Sequence, residues 1–129
     1  MKRLFKTFPL FLVRMFKIYK YAPKKHGLLQ KIKWALYYNE IAVEKIDIIH
    51  LQWIGQFSLV GWTKDLHNCQ FISSVRGAQV TYMIDTIPGY INTITNAFNG
   101  SDHIHCVSKS LKERCIFLGA DPSKVFVNY

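Results

Sequence analysis

From residue 46 onward the chain alternates between two hydrophobic periods. IDIIHLQW (46–53), QFISSV (70–75), HIHCVS (103–108) and the end of DPSKVFVNY (121–129) are short, apolar, β-rich runs and read as strands. The segments between them have helical spacing. GQFSLVGWTKDLHN (55–68) reads as a helix weakened by Gly61, and PGYINTITNAFNGS (88–101) as one opened by Pro88 and stopped by Asn99-Gly100. SKSLKERCIFLGA (108–120) has Ser108 or Ser110 to cap its start and Gly119 to end it. Residues 78–87 follow neither period. Strand and helix in strict alternation predict an α/β protein with a three-layer parallel sheet and right-handed crossover helices. The short apolar runs suit strands covered on both faces.

The front of the chain differs. LFLVRMFKIYKY (10–21) sets cations at 14, 17 and 20, a narrow basic stripe beside a wide apolar face on a helix that Pro9 suits in its first turn. APKKHG breaks it, and LLQKIKWALYYNEIAVEK (28–45) returns to helical spacing. The predicted organisation is a basic, aromatic helical segment over residues 1–45 and an α/β segment over 46–129.

Charge sharpens that division. The formal net charge is +9, from 17 Lys and Arg against 8 Asp and Glu. Ten of the cations and none of the acids lie in residues 1–33. Such a balance attracts anions: phosphorylated sugars, anionic lipid surfaces or nucleic acid. No zinc-finger, helix-turn-helix or RNA-binding motif accompanies it, and the basic residues avoid the strand ends, so no nucleic acid is expected. Half the residues are hydrophobic, enough for a core. Cys69, Cys106 and Cys115 form no CxxC pair and read as small buried hydrophobes of a reducing compartment. No run of about 18 uncharged apolar residues predicts a spanning helix. Lys6 and Pro9 interrupt the run that would imitate a signal peptide.

Candidate chemistry gathers where strands end. His50, Gln52 and Trp53 close the first strand, Arg76 and Gly77 the second, Ser108 the third and Asn128 the fourth. In a parallel sheet these positions share one edge, where ligands of open α/β sheets bind. Each has a plainer use: Arg76-Gly77 as a solvated turn, His50 as a hydrogen-bonded strand-end histidine, Ser108 as a helix cap. Asp85 and Asp102 read as surface or capping residues. His103 and His105 alternate on a strand without a third ligand nearby, so no metal is expected.

The ordered set DIIHLQW, FISSVRGAQ and SDHIHCVSKSLKERCIFLGADPSKVFVNY resembles the N-terminal half of family-4 glycosyltransferases, over about residues 46 to 129. That resemblance implies the GT-B fold, two Rossmann-like domains facing across a cleft, of which this chain carries an incomplete N-terminal, acceptor-side one. It implies transfer of a sugar from a nucleotide-diphosphate sugar to a hydroxyl of a glycan or lipid-linked acceptor, with no other cofactor. His50, Gln52, Trp53, Arg76, Gly77 and Ser108 would line the cleft. Arg76 stands just before the loop glycine, where it would serve a phosphate or sugar hydroxyl and not act as a base, since it stays protonated. The chain departs from the family in lacking a Gly-Gly loop, in carrying Gln79 where Asp is frequent, and in stopping at Tyr129 before the donor-binding domain, so the chain alone is expected to be inactive. The implied location is cytoplasmic, with Arg14, Lys17 and Lys20 meeting the anionic inner face of the membrane. The alternatives are a non-catalytic membrane-associating α/β module and a small anion- or nucleotide-binding domain.

Overall fold

The computed structural model describes residues 12–13, 15–21, 27–38 and 45–128. Arg14 and residues 39–44, the latter within the second predicted helix, lie outside them. The chain divides into two compact units, residues 1–47 with 62–68, and residues 48–61 with 69–129.

The second unit is an α/β domain. Four strands, β1 (Ile48–Leu51), β2 (Gln70–Val75), β3 (His103–Cys106) and β4 (Val125–Val127), form one sheet in the order β1-β2-β3-β4, every pair parallel. The register sets Leu51 beside Ser73, Ser74 beside His105, and His105 beside Phe126. Side chains alternate along each strand. Leu51, Phe71, Ser73, Val75, Ile104, Cys106 and Val125 point to a buried side. Ile54, Val80, Ile94, Ala97, Phe98, Cys115 and Ala120 from the connections complete that core.

Coverage of both sheet faces, expected for parallel strands, is not what this unit has by itself. A strand order that advances in one direction, joined by right-handed crossovers, puts every connecting helix on one face. The other face carries Ile48, His50, Gln70, Ile72, Ser74, His103, His105 and Phe126, among which Ile48, His50, Gln70, His103 and Phe126 are exposed.

Local sequence explains the connections. The predicted helix over 55–68 is three pieces: a tight turn at Ile54–Gln56, then α3 (Phe57–Val60) and α4 (Thr63–His67). The Phe57 ring folds back over Gly61, where a Cβ would sit 2.6 Å from it, and also covers Gly100. Residues 78–87 hold a turn and a short α5 (Tyr82–Thr86), with α6 (Tyr90–Gly100) after it. Helix α7 (Lys109–Phe117) starts at Ser108, whose Oγ accepts from Leu111 N at 3.2 Å, and ends at Gly119 with φ 99°. Asp102 is a structural carboxylate: its Oδ2 accepts from Phe71 N at 2.8 Å while its own N–H donates to Phe71 O at 2.9 Å, tying the entries of β2 and β3 together. The Cys106 and Cys115 sulfurs touch at 3.8 Å inside the core. The hydrogen bond with Cys106 and burial keep the Cys115 thiol protonated well above the usual thiol range.

The first unit is helical. Residues 12–13 and 15–21 form α1, Leu28–Tyr37 form α2, and α4 joins them. Ile18, Trp34 and Trp62 make its core, with Met15, Tyr38 and Leu66 against it. Trp34 stacks on Trp62 at 5.8 Å, and Tyr38 meets the Trp62 ring edge-on at 5.7 Å. No helix among the described residues is long and apolar enough to cross a membrane.

Candidate functional site

The carboxyl ends of β1 and β2 bring three of the predicted residues into one hydrogen-bonded row. Arg76 Nη2 donates to Gln52 Oε1. Gln52 Nε2 reaches His50 Nδ1 at 3.4 Å, and His50 Nε2 lies 2.8 Å from Ser74 Oγ. The row then continues past the predicted set. Ser74 Oγ lies 3.0 Å from His105 Nδ1, and His105 Nε2 lies 3.1 Å from the Asn128 carbonyl. The relay thus crosses all four strands on the face away from the core, from a guanidinium beyond β2 to a main-chain oxygen beyond β4. The His50 and His105 rings meet edge to face with centroids 6.0 Å apart, and Phe126 lies 5.4 Å from His105.

Both ends of the row are fixed by chemistry. A guanidinium only donates and a carbonyl only accepts. Gln52 must therefore turn its oxygen to Arg76 and its NH2 to His50. Nδ1 of His50 accepts and Nε2–H donates to Ser74. The Ser74 hydroxyl passes its hydrogen to His105 Nδ1, and His105 Nε2–H donates to Asn128 O. Between the two ends every group then accepts once and donates once, an order that puts the hydrogen of each imidazole on Nε2. Ser74 is fully buried at the centre, where an unpaired hydroxyl would be costly.

The Arg-Gly loop is shaped from both sides. Gly77 has φ 106°, a conformation that favours glycine. Val80 N–H bonds back to Gly77 O at 2.9 Å, and Arg114 of α7 donates from Nε to Val80 O at 3.0 Å. Gln52 is the one polar partner of Arg76 among the described residues, so most of its fork of donors faces solvent unneutralised. Next to this loop, Gln79 is buried, and its Oε1 has no hydrogen-bond partner among the described residues. Its Nε2 lies where it would be 2.8 Å from a Cβ on Gly55, so the loops after β1 and β2 pack closely there.

The remaining predicted residues are apart from this row. Trp53 is half exposed beside Gln52 in sequence and enters none of its hydrogen bonds. Ser108 caps α7. Lys17 and Lys20 lie on α1 in the first unit. A groove lined by Lys109, Lys112, Glu113, Ile116 and Val127 includes no member of the relay. No group of three or more metal-ligand side chains gathers among the described residues. Sequence reasoning missed Ser74, Gln79 and the relay role of His105. The one available sign was the two-residue spacing that sets Ser74 two before Arg76 and His105 two after His103 along their strands. Comparison with models of known protein families, with curated proteins and with solved structures gives no match.

Proposed function

We propose that the chain forms the acceptor-side, N-terminal part of a GT-B glycosyltransferase, which transfers a sugar from a nucleotide-diphosphate sugar to a hydroxyl of a glycan or lipid-linked acceptor. One observation carries this reading. Arg76, with no carboxylate partner among the described residues, stands at the carboxyl end of a parallel strand beside Gly77, held by Gln52 from the neighbouring strand. Open α/β sheets bind phosphates and sugars at that edge. A guanidinium fork matches diphosphate oxygens, and a glycine lets the backbone approach them. In such a reaction Arg76 stabilises charge on the departing diphosphate. His50, with both ring nitrogens engaged, orients the rim and does not take up the acceptor's proton in this arrangement. A third layer over this sheet face and a donor-binding domain belong to the same proposal.

The test is titration of isotope-labelled protein with a panel of nucleotide-diphosphate sugars, followed by amide and side-chain NMR. Shifts are expected at Gln52, Trp53, Arg76 and Gly77. Arg76→Ala should weaken binding by roughly tenfold to a hundredfold, the worth of a charged hydrogen bond. Shifts confined to other surfaces, or none with any nucleotide sugar, would remove the reading.

A second reading, docking on an anionic lipid surface, rests on the first unit. Helix α1 turns Met15 and Ile18 to its core and leaves Leu12, Val13, Phe16 and Tyr19 exposed, with Lys17 and Lys20 exposed beside them. Phe16 is 71% exposed, a large apolar payload for a helix already packed on one side. Such a helix suits the interface of a bilayer. Each lysine there contributes about 1 kcal/mol. Lys17→Glu with Lys20→Glu should cut co-sedimentation with phosphatidylserine vesicles at least about tenfold, with little change on neutral vesicles. Equal binding by the double variant would reject docking through α1.

A further inference from the structure

We infer that Arg76, Gln52 and His50 form a proton-linked anion clamp, in which a proton on His50 and an anion on Arg76 favour each other through the Gln52 amide. The inference needs an anion only and does not depend on the sugar-transfer reading. It follows from the one-way order of the relay. With His50 neutral, Nδ1 is an acceptor, and Gln52 satisfies it with its NH2 while holding Arg76 with its oxygen. A proton can enter His50 only at Nδ1, because Nε2 already carries hydrogen toward Ser74. Protonated Nδ1–H then faces the Gln52 NH2, two donors nose to nose. Half a turn of the amide relieves the conflict and gives Oε1 to His50. The same turn presents NH2 to Arg76, so the guanidinium loses its acceptor and is released to an outside anion.

Run backwards, an anion that draws Arg76 away frees Gln52 Oε1 to accept from His50, which favours proton uptake there. That equality is thermodynamic reciprocity. Among the described residues, the contacts of His50 with Gln52, Ser74 and His105 do not oppose this scheme. On the neighbouring strand β2, His50 meets Ser74, which does not titrate. On β3 the one titratable group near it is His105, at 6.0 Å between ring centroids. Among the described residues, the charge linked to it by hydrogen bonds is Arg76. The ion pair among the described residues, Lys45 with Asp47, includes none of the relay.

His105 offers an internal control. A proton on its Nδ1 would turn the Ser74 hydroxyl into a double acceptor and leave Nε2–H on Asn128 O. Nothing in that change reaches Gln52. Protonation of His105 therefore costs Ser74 its donor role and leaves Arg76 clamped.

Sulfate is the probe, because its charge is constant across the range in which histidine titrates. Its binding to the full chain would be followed by NMR of the Arg76 side-chain N–H at about pH 5.5 and about pH 8. Affinity should be at least about fivefold higher at the lower pH. Gln52→Met keeps the charge on His50 but removes the amide, and it should shrink that ratio to less than about twofold. His105→Gln should leave it intact. Imidazole nitrogen shifts of the unmodified protein near pH 8 should report the Nε2–H form of both His50 and His105, a check that needs no variant. The clamp is overturned if His50 carries its hydrogen on Nδ1, if sulfate affinity does not change with pH, or if Gln52→Met keeps the full pH effect, which would mean charge attraction alone.

Discussion

Phe71→Ala should remove about 3–5 kcal/mol of stability, the usual cost of emptying a fully buried aromatic site. Phe71 has no exposed surface. Its ring lies 5.2 Å from that of Phe57, edge to face at 80°, and Phe57 is in turn seated over Gly61 and Gly100. The surroundings have little freedom to collapse into the void, because the neighbouring Phe57 ring is itself held against Gly61 and Gly100. A domain of this size has only about 5–15 kcal/mol to lose. Urea unfolding followed by circular dichroism should therefore show a large fall in midpoint, or a chain already unfolded in buffer. Phe71→Leu, which keeps most of the volume, should lose clearly less. A loss below about 1 kcal/mol for the alanine variant would contradict the burial described here.

Asp102→Ala should cost about 2–3 kcal/mol, the second largest effect expected. The carboxylate accepts the Phe71 N–H at 2.8 Å while its main chain returns a hydrogen bond to the same residue at 2.9 Å. Removing the side chain strands the N–H of a fully buried residue at the point where β2 enters the sheet. Asp102→Asn retains an oxygen of the same reach and should recover more than half of the loss. Unfolding midpoints of the two variants decide the matter, and equal midpoints would assign Asp102 to the surface alone.

The architecture was legible in the sequence because parallel strands and crossover helices leave different hydrophobic periods. All four strands appear within the predicted runs: β2 fills 70–75, and the other three are shorter, as Ile48–Leu51 is within 46–53. The helix over 55–68 was legible as helical content weakened at Gly61, where α3 gives way to α4. The Phe57 ring returning across that glycine is a contact between side chain and backbone that no period records. Which sheet face the connections cover was not legible for a related reason. Which face a crossover helix takes depends on strand order, and order is set by packing and not by any one run.

The rim was half legible. His50, Gln52 and Arg76 stood at strand ends and could be expected to meet. Ser74 sits inside an apolar strand, where a serine is unremarkable in composition, and its meaning appears only when His50 and His105 are seen on either side of it. His105 and His103 alternate on one strand, where no metal is expected and no other role is assigned. In the fold both rings lie beside Phe126, and His105 alone joins the row that runs from Arg76 to the Asn128 carbonyl.

The order β1-β2-β3-β4 also bears on how the domain comes together and comes apart. Each strand pairs with the one before it in sequence, so no pairing has to wait for a distant stretch of chain. The inner strands β2 and β3 have a neighbour on both sides and the outer two have one, so deuterium should enter last around Phe71–Val75 and first along β1 and β4. The polar row is therefore anchored at Ser74, on the most persistent part of the sheet, and held at His50 and Asn128 by the parts that fray.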